Sequence, residues 1–417
     1  MVAAMKVAYL VSRFPTVTET FVLREFSAVA AEGVEVDLHS LFGVAAADAG
    51  VVQPAAAPWV ERLQRPGPGE GARALAWWLL RRPLRTLGTL TTVVAAHARR
   101  PGILVRALVT VPLAAAHARR FRRARVDHVH AHFANYPTLA AWIAHRLAGV
   151  SYSFTPHAHD LFVHQAMLAR KAADAAFVVA ISDYNRRFLL EQAGPTIDVP
   201  IVRYGIDPER FTFRVRPANG DAPPRIACVA RLLAYKGHAV LLRAIADAPP
   251  PLAGAQLELV GDGPLRAELE RDVAALGLCD RVRFHGAVPE PVVADVLARA
   301  DVFALPSVIS PDGDREGIPN ALIEAMAAGL PAVSTYHSGV PELIEDGRTG
   351  YLAQPGDVDD LRAALVRALS EPDPAPRAEA ARAVVEVEFS SHHSARRLVE
   401  LFSAVSAGGG SSGRSRG

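Results

Sequence analysis

Cysteine is scarce in this sequence. The 417 residues include two cysteines, Cys228 and Cys279, and both stand in predicted strand or turn segments. Two thiols supply neither a disulfide framework nor a cysteine-rich metal site, so the composition favours a reducing, cytoplasmic environment. The amino-terminal residues lack the basic leader and cleavage site of a secretory signal, and we expect them to form a first strand. No uninterrupted apolar run reaches the ~18–20 residues of a membrane-spanning helix.

Lysine is also scarce, and acidic residues are missing from one long segment. The chain has three lysines, Lys6, Lys171 and Lys236, against 42 arginines. Residues 72–126 contain twelve arginines and no acidic residue, although the formal net charge of the chain is only +2. We expect no nucleic-acid partner. A lysine in a glycine-flanked turn, such as Lys236, is a candidate functional residue because the composition so strongly favours arginine.

The acid-free segment has the pattern of an interfacial element. It contains the pair Trp77 and Trp78 and repeated apolar runs, a combination typical of helices that lie on a membrane surface. Residues 72–125 are therefore predicted to bind an anionic membrane, with the protein peripheral on the inner face of the cell membrane. The alternative is an ordinary helical insert packed on the first domain. Three prolines are expected to divide the segment into pieces too short to span a bilayer: Pro83, Pro101 and Pro112.

Apolar strand-like runs alternate with amphipathic helical stretches along the whole chain. This order predicts α/β architecture with parallel sheets covered on both faces, and the length fits two Rossmann-like, doubly wound domains. The predicted strands are KVAYLVS, VEVDLHSLF, VDHVHAHF, SYSFTPH, AFVVAIS and VPIVRYG in the first half, and RIACVARLL, LELVGDG, RVRFHGAV, DVFALPS and PAVSTYH in the second.

The domain boundary is predicted within residues 207–224, which are rich in Pro, Gly and Asp. Residues 1–206 form the predicted first domain, with a basic helical insert at 71–125. Residues 207–389 form the second domain. A final helix, residues 390–406, is expected to pack back on the first domain, and residues 407–417 are predicted to be a disordered tail.

The segment EGIPNALIEAMAAG carries two glutamates eight positions apart, Glu316 and Glu324. In a helix this spacing gives an offset of ~80° and ~12 Å, so the carboxylates suit two ends of one elongated ligand. Gly317 and a proline stand at the predicted helix entry, where the backbone N–H groups of Asn320 and Ala321 lack helical partners. The combination predicts binding of a phosphate-bearing ligand with hydroxyls on both sides of the phosphate.

The chain resembles glycosyltransferase family 4, retaining enzymes with the GT-B fold, over almost its whole length. The resemblance rests on VARLLAYKGHAVLLRAI, LVGDGPLRAELE, FHGAV, EGIPNALIEAMAAGLPAVST and GVPELIEDGRTGYL in this order. FPTVTETFVLREF, VDHVHAHF and FTPHAHDLF resemble the exopolysaccharide or colanic-acid branch, with Thr18 where that branch usually has serine. The resemblance implies two domains facing across a cleft. It also implies sugar transfer from a nucleotide-diphosphate sugar to a glycan or polyprenyl-diphosphate-linked acceptor.

The resemblance assigns roles to single residues. Arg231 and Lys236 are expected to hold the donor diphosphate, where sugar transfer builds negative charge that preorganised cations stabilise. Glu324 is expected to accept hydrogen bonds from the ribose. Glu316 and His157 are expected to lie near the transferred sugar as catalytic residues. The alternative for the two cations is that they are solvated in a loop.

Three histidines and the first loop leave alternatives open. His128, His130 and His132 share one face of a predicted strand at metal-ligand spacing. The family needs no metal, so we expect none, and no cofactor besides the nucleotide sugar. The predicted acceptor or cleft residues, which also have structural alternatives as caps and strand-end pairs, are Thr18, Glu19, Thr20, His132 and Asp160.

Other functions remain as alternatives. VGDGPLR follows a strand and opens a helix, but it lacks the third glycine of a dinucleotide-binding loop, so hydride transfer is poorly supported. Its glycines are expected to keep the backbone low beneath the nucleotide. A nucleotide-sugar epimerase shares the fold and is the main alternative function. A catalytically inactive binding protein is a third, and the intact set of Arg231, Lys236, Glu316 and Glu324 argues against it.

Overall fold

The computed structural model describes residues 5–16, 20–44, 54–163, 165–216 and 222–412. The chain divides into two compact units. The first unit comprises Met1–Ile181, Arg186–Arg203 and Ser391–Gly417, and the second comprises Ser182–Asn185 and Tyr204–Ser390.

Eleven strands and sixteen helices are found in the described residues. The strands are β1 (Lys6–Val11), β2 (Glu35–Ser40), β3 (His128–His132), β4 (Ser151–Thr155), β5 (Phe177–Val178), β6 (Arg225–Val229), β7 (Gln256–Val260), β8 (Val282–Gly286), β9 (Val302–Ala304), β10 (Ala332–Thr335) and β11 (Tyr351–Ala353). The helices are α1 (Thr20–Ala31), α2 (Ala57–Arg62), α3 (Pro68–Arg81), α4 (Pro83–His97), α5 (Pro101–Ala124), α6 (Tyr136–Ala148), α7 (Ala158–Phe162), α8 (Leu168–Asp174), α9 (Asp183–Ala193), α10 (His238–Ile245), α11 (Arg266–Ala275), α12 (Glu290–Arg299), α13 (Asn320–Ala327), α14 (Val358–Leu369), α15 (Ala375–Glu388) and α16 (Ser391–Ser412).

Both sheets are entirely parallel, as predicted. The first has the order β2-β1-β3-β4-β5, and the second has the order β11-β10-β9-β6-β7-β8. The second order is that of a doubly wound dinucleotide-type sheet, whose strand order reverses between β6 and β9. Loops at the carboxyl ends of those two strands therefore border the crevice where ligands of such sheets bind.

Two details of the strand prediction differ from the structure. The run VPIVRYG forms only one isolated bridge, between Ala180 and Ile201, and Pro200, its second residue, has no N–H to donate to a ladder. Strand β11 was not predicted, because YLA is short and follows a turn-rich segment. The other ten predicted runs each overlap one of the remaining ten strands.

The carboxyl-terminal helix belongs to the core of the first unit. α16 packs against α1 and β3, with Leu398 and Phe402 fully buried. These side chains share a cluster with Tyr9 of β1 and Phe26 of α1. α16 continues to Ser412, so residues 407–412, which we predicted to be part of a disordered tail, are helical; 413–417 lie outside the described residues.

The basic insert consists of three consecutive helices, α3, α4 and α5. α5 runs for 24 residues through Pro112, so the prediction that Pro112 divides the segment is wrong. α5 packs closely against α3 and α6, and it buries ten residues, half of them alanines. By length and hydropathy α5 is the one helix of the described ranges that could cross a membrane, but half of its most apolar stretch is buried.

Of the paired tryptophans, Trp78 is a core residue and Trp77 is partly buried against the same cluster. Trp78 is fully buried and donates a hydrogen bond from Nε1 to the carbonyl of Ala115 at 3.0 Å. The ring of Trp77 lies beneath the guanidinium groups of Arg119 and Arg122, at 4.8 and 5.4 Å from its centroid. The expected exposure of Trp78 at a membrane is therefore wrong, whereas Trp77 is partly exposed. Cation–π contacts between Trp77 and these two arginines give tryptophan and arginine a shared structural role within the insert.

A close approach between α3 and α5 generates a stability prediction. A Cβ added at Gly71 would lie 3.0 Å from backbone atoms of Pro112, whereas one added at Gly88 of α4 would meet no atom within 4 Å. Gly71→Val is expected to lower the free energy of unfolding by about 1–3 kcal/mol more than Gly88→Val, because overpacking adds to the same helix-propensity change. Denaturant unfolding of the two variants measures the difference. Equal stabilities would contradict the close packing.

Candidate functional site

The loops that follow β6 and β9 touch at the carboxyl edge of the second sheet. After β6 the chain makes a short 3-10 turn, Ala234–Lys236, and the next residue, Gly237, has φ +72°. A Cβ at Gly237 would lie 1.8 Å from the carbonyl oxygen of Pro306, so only glycine fits between these loops. The N–H of Val308 donates to the carbonyl of Tyr235 at 2.8 Å and holds the same two loops together.

This close approach brings two of the predicted site residues into contact. The ammonium group of Lys236 forms an ion pair with the carboxylate of Glu316, and their side chains are 13% and 16% exposed. Burial lowers the pKa of Lys236 to about 8, and the neighbouring Arg231 adds to the lowering. Arg231 itself is exposed on the loop after β6. An ammonium has three N–H donors, so its pairing with one carboxylate leaves capacity for phosphate oxygens.

Helix α13 follows Glu316 in the sequence, and only one face of it is partly exposed. The helix begins at Asn320, so Glu316 precedes it, and Pro319 is the N-cap residue instead of part of the first turn as predicted. Five of its eight residues are buried, and the three partly exposed ones are Asn320, Ala321 and Glu324. These are the three helix residues that the sequence assigned to a ligand.

The amino terminus of α13 has unsatisfied polar groups. The buried Oδ1 atom of Asn320 has no hydrogen-bond partner within the described part of the chain. The backbone N–H groups of Asn320 and Ala321 belong to the first turn, where a helix provides no acceptor. Their alignment with the helix dipole favours an anion. Gly317, also predicted to contact the ligand, is buried.

The glycines of VGDGPLR have a packing role. Gly261 has φ +130°, and a Cβ there would lie 2.0 Å from the carbonyl oxygen of Ala230. A Cβ at Gly263 would lie 2.5 Å from the carbonyl oxygen of Leu232. Both glycines therefore let the loop after β7 pack directly against the loop after β6, which carries Arg231 and Lys236.

In the first unit, the histidines of β3 face the hydroxyl residues of β4. His128, His130 and His132 pair in register with Ser151, Ser153 and Thr155. All three histidines are fully buried, and burial lowers the pKa of His128 to about 3 and that of His130 well below its usual range. The rings of His128 and His130 are therefore neutral polar groups that hydrogen-bond within the core.

His132 connects this row to the predicted catalytic residue His157. The Nδ1 atom of His132 lies 3.2 Å from Nε2 of His157, and its Nε2 atom lies 2.9 Å from a carboxylate oxygen of Glu25. Burial, with a smaller effect of His132, lowers the pKa of His157 well below its usual range. His157 is 6% exposed, at the point where the chain leaves β4 and enters α7.

Asp160 organises the loops around His157. It is 2% exposed, and its carboxylate accepts hydrogen bonds from the backbone N–H groups of Ala134 and His157. The structure thus gives Asp160 a contact with the backbone of His157. Thr20 is the first residue of α1, whereas Thr18 and Glu19 lie outside the described residues.

Glu25 was missed by the sequence reasoning. It lies on α1 between the buried residues Val22 and Phe26, and its side chain is 14% exposed. A glutamate on the apolar stripe of an amphipathic helix is a signal that the pattern did contain. The nitrogen and oxygen atoms of Glu25, His130 and His132 lie within 4.8 Å of one another, close enough to hold a metal ion. The predicted absence of a metal stays a prediction.

Comparison with known proteins places this geometry in context. A sequence profile described as "Glycosyl transferases group 1" matches residues 223–371. The amylovoran biosynthesis glycosyltransferase AmsK of Erwinia amylovora is 39% identical over 58% of this chain and 60% of its own length. The putative colanic acid biosynthesis glycosyltransferase WcaL of Escherichia coli is 31% identical over 96% of this chain and all of its own length.

Similarity to solved structures extends over both units. The Anabaena protein HepE, solved in complex with UDP-glucose, matches with a TM-score of 0.70 and 19% identity. The match covers 96% of this chain and 100% of that one. At this identity the likeness concerns the fold.

The lowered pKa of Lys236 predicts a pH-dependent stability. Its folded-state pKa of about 8 is below the ordinary 10.5, so the unfolded chain binds more protons between these values. The free energy of unfolding of the wild type relative to Lys236→Met is therefore expected to rise by about 1–3 kcal/mol from pH 8 to 10.5. Denaturant unfolding at several pH values measures this difference.

Lys6 is the matched control for this pH dependence. Its hydrogen bond to Glu35 raises its pKa, so the wild type should lose stability relative to Lys6→Met as pH rises through that pKa. A stability difference for Lys236 that does not change with pH, or that changes in the same direction as that for Lys6, would contradict the lowered pKa of Lys236 and would show that its ion pair with Glu316 outweighs the effect of burial.

Proposed function

The chain belongs to the group 1 glycosyltransferase family, and on this basis we propose that it transfers a sugar from a nucleotide-diphosphate sugar to a glycan or polyprenyl-diphosphate-linked acceptor. It is a glycosyltransferase with two parallel-sheet domains of the GT-B type. The names of the relatives favour exopolysaccharide or cell-surface glycan synthesis. Retention of anomeric configuration follows from the resemblance to family 4.

The observation that carries the proposed donor site is the contact between Lys236 and Glu316 at the strand-order reversal of the second sheet. When the bond between the anomeric carbon and the diphosphate oxygen breaks, negative charge develops on the leaving diphosphate. Lys236 and Arg231 supply positive charge for it, and the N–H groups at the start of α13 supply preorganised donors. The orphaned amide oxygen of Asn320 suits a hydroxyl or amide donor of the ligand.

In this proposal Glu316 and Glu324 lie on opposite sides of the diphosphate. Glu324 lies one turn into α13 on the partly exposed stripe, where its carboxylate accepts hydrogen bonds from the ribose hydroxyls. Glu316, before the helix and paired with Lys236, lies toward the transferred sugar. His157 of the first unit contacts the sugar through its backbone or ring, as the family resemblance implies.

We propose that transfer needs no metal and no further cofactor. In many phosphoryl and glycosyl transfers a divalent cation neutralises the leaving diphosphate. Here an ammonium, a guanidinium and a helix amino terminus are positioned for the same electrostatic task. Lys236 and the amino terminus of α13 are held by the fold before the donor binds, so they require little reorganisation during the reaction.

The epimerase alternative has less support. The relatives described above are named as glycosyltransferases, and an epimerase would convert the donor without an acceptor. Incubation of the protein with the donor alone separates the two functions. Rapid turnover of the donor in the absence of any acceptor would favour an epimerase.

The donor site is tested by Lys236→Ala and Glu324→Ala. Each is expected to lower kcat/KM for transfer about 30- to 1000-fold, because a lost charged hydrogen bond near the leaving group costs about 2–4 kcal/mol. Glu379→Ala, which alters an exposed glutamate of α15 in the same unit, is the matched control and should leave transfer unchanged. A panel of UDP-, GDP- and ADP-sugars identifies the donor. Near-normal transfer by either site variant with saturating donor would refute the assignment.

We also propose that the enzyme is cytoplasmic and docks on an anionic membrane through the basic insert. The candidate contact residues are Leu80 and Leu84, which are 85% and 86% exposed at the junction of α3 and α4. Arg81 and Arg85 flank them and are also exposed. Apolar insertion together with attraction to anionic lipid suits a lipid-linked acceptor.

Liposome co-sedimentation tests the docking. The double variant Leu80→Gln, Leu84→Gln is expected to weaken binding to anionic vesicles on the order of 10-fold, because each leucine contributes apolar burial. Arg81→Ala with Arg85→Ala should weaken binding at low salt but have less effect at high salt, where charges are screened. Val387→Gln changes an exposed apolar residue of α15 and serves as the control. Equal binding to neutral and anionic vesicles would contradict the proposal.

A further inference from the structure

The loop after β10 contains a serine in a backbone conformation that favours glycine. Ser338 has φ +47°, in the left-handed region where a side chain is sterically unfavourable. Its hydroxyl oxygen lies 3.1 Å from Nε2 of His337, a contact that glycine could not make. Residues other than glycine in this conformation are concentrated at functional sites, where the surrounding structure compensates for the strain. The pair His337 and Ser338 is therefore a candidate for a functional role.

The ring of His337 is buried and neutral. The residue is 2% exposed, and burial lowers its pKa to about 4, with smaller effects of the positive charges on Arg315 and Lys236. Nε2 faces Ser338, whereas Nδ1 has no hydrogen-bond partner in the part of the chain that the structure describes, yet it is not fully enclosed. Because polar atoms of buried side chains are normally hydrogen-bonded, Nδ1 is available to a ligand.

The loop that carries His337 packs against the turn before α13. A Cβ added at Gly339 would lie 2.9 Å from Cγ1 of Ile318, which is two positions after Glu316. At the end of β10, the hydroxyl of Thr335 donates to the carbonyl of Ser307 in the loop after β9. These contacts hold the loop after β10 beside the proposed donor site of the same unit.

Both cations that lower the pKa of His337 are neighbours of Glu316. Arg315 precedes Glu316 in the sequence, and Lys236 forms its ion pair. In the proposed function, Glu316 lies toward the transferred sugar, whereas Glu324 binds the ribose. His337 is therefore on the sugar side of the donor site.

We propose that Nδ1 of His337 hydrogen-bonds a hydroxyl of the transferred sugar, and that Ser338 is a positioning residue that fixes the ring for this contact. The inference rests on the proposed function, which places the sugar beside Glu316. A hydroxyl both donates and accepts, so it suits Nδ1 in either tautomer of the neutral ring. A site that hydrogen-bonds a hydroxyl discriminates against sugars that lack it, so His337 contributes to the choice of donor sugar.

Calorimetric binding without acceptor tests the sugar contact. The ligands are the nucleotide sugar that binds best among UDP-, GDP- and ADP-sugars and the corresponding nucleoside diphosphate, which lacks the sugar. His337→Gln places its amide near the former Nε2 position, so it is expected to weaken binding of the nucleotide sugar about 5- to 30-fold and to leave binding of the diphosphate unchanged. His337→Asn places its amide near the former Nδ1 position and should lose less affinity for the nucleotide sugar.

Tyr336→Phe is the matched control. Tyr336 lies in the same loop and is 45% exposed, so removal of its hydroxyl should change neither affinity. Unchanged binding of the diphosphate also shows that each variant has folded.

Ser338→Gly tests the positioning role. Glycine adopts φ +47° without strain, so this variant removes the hydroxyl and should unfold at a temperature no lower than that of the wild type. Its affinity for the nucleotide sugar is expected to fall about 3- to 10-fold, because the ring of His337 is no longer held in one orientation. A purely structural role for Ser338 would leave this affinity unchanged, and that result would overturn the positioning role.

The outcomes separate this inference from the proposed function. If the wild type binds the nucleotide sugar and His337→Gln binds it equally well, the contact with the sugar is refuted while the donor site stands. The contact is also refuted if His337→Gln loses the same affinity for the diphosphate as for the nucleotide sugar. If the wild type binds no nucleotide sugar and no nucleoside diphosphate, the proposed function fails and this inference fails with it.

Discussion

The candidate donor site depends on the contact between the backbone at Gly237 and the carbonyl oxygen of Pro306. No side chain fits there, since even a Cβ would lie 1.8 Å from that oxygen. Because the loops after β6 and β9 approach this closely, Lys236 and Glu316, which are 80 positions apart in the sequence, form an ion pair. Gly261 and Gly263 likewise leave no room for a Cβ, because the loop after β7 packs against backbone carbonyls of the loop after β6. The loops after β6, β7 and β9 are therefore packed together at this edge of the sheet.

In the first unit, the candidate residues lie in a row of buried histidine and hydroxyl side chains on β3 and β4. Burying imidazole and hydroxyl groups is unfavourable unless each is hydrogen-bonded, and the register of β3 with β4 places histidines directly opposite serines and threonine. The carboxylate of Glu25 on α1 lies 2.9 Å from Nε2 of His132 and 3.7 Å from Nε2 of His130, so it supplies an acceptor at the carboxyl end of β3.

Much of the fold could be predicted from the sequence, and the reasons for the misses are physical. Parallel strands and their helices follow from periodicity, and the partly exposed stripe of α13 follows from the spacing of Asn320 and Glu324. Periodicity does not reveal whether an apolar helix meets lipid or protein. Trp78 was therefore assigned to a membrane face, although it is buried in contact with Ala115. Glu25 was missed because its histidine partners are more than 100 positions away in the sequence.

Two of the three lysines in the chain, Lys171 and Lys236, have enclosed ammonium groups. Lys171 is 3% exposed, donates to the carbonyl of Ala134, and has its pKa lowered by burial to about 7, while Lys236 is the buried partner of Glu316. Two of the three lysines are thus enclosed near the carboxyl ends of strands, whereas arginine supplies most of the positive charge of the chain. An ammonium group is compact and can release its proton when desolvated, but a guanidinium is wide and remains charged. A compact ammonium therefore suits these enclosed positions, where Lys171 and Lys236 each meet a single acceptor group from a neighbouring loop.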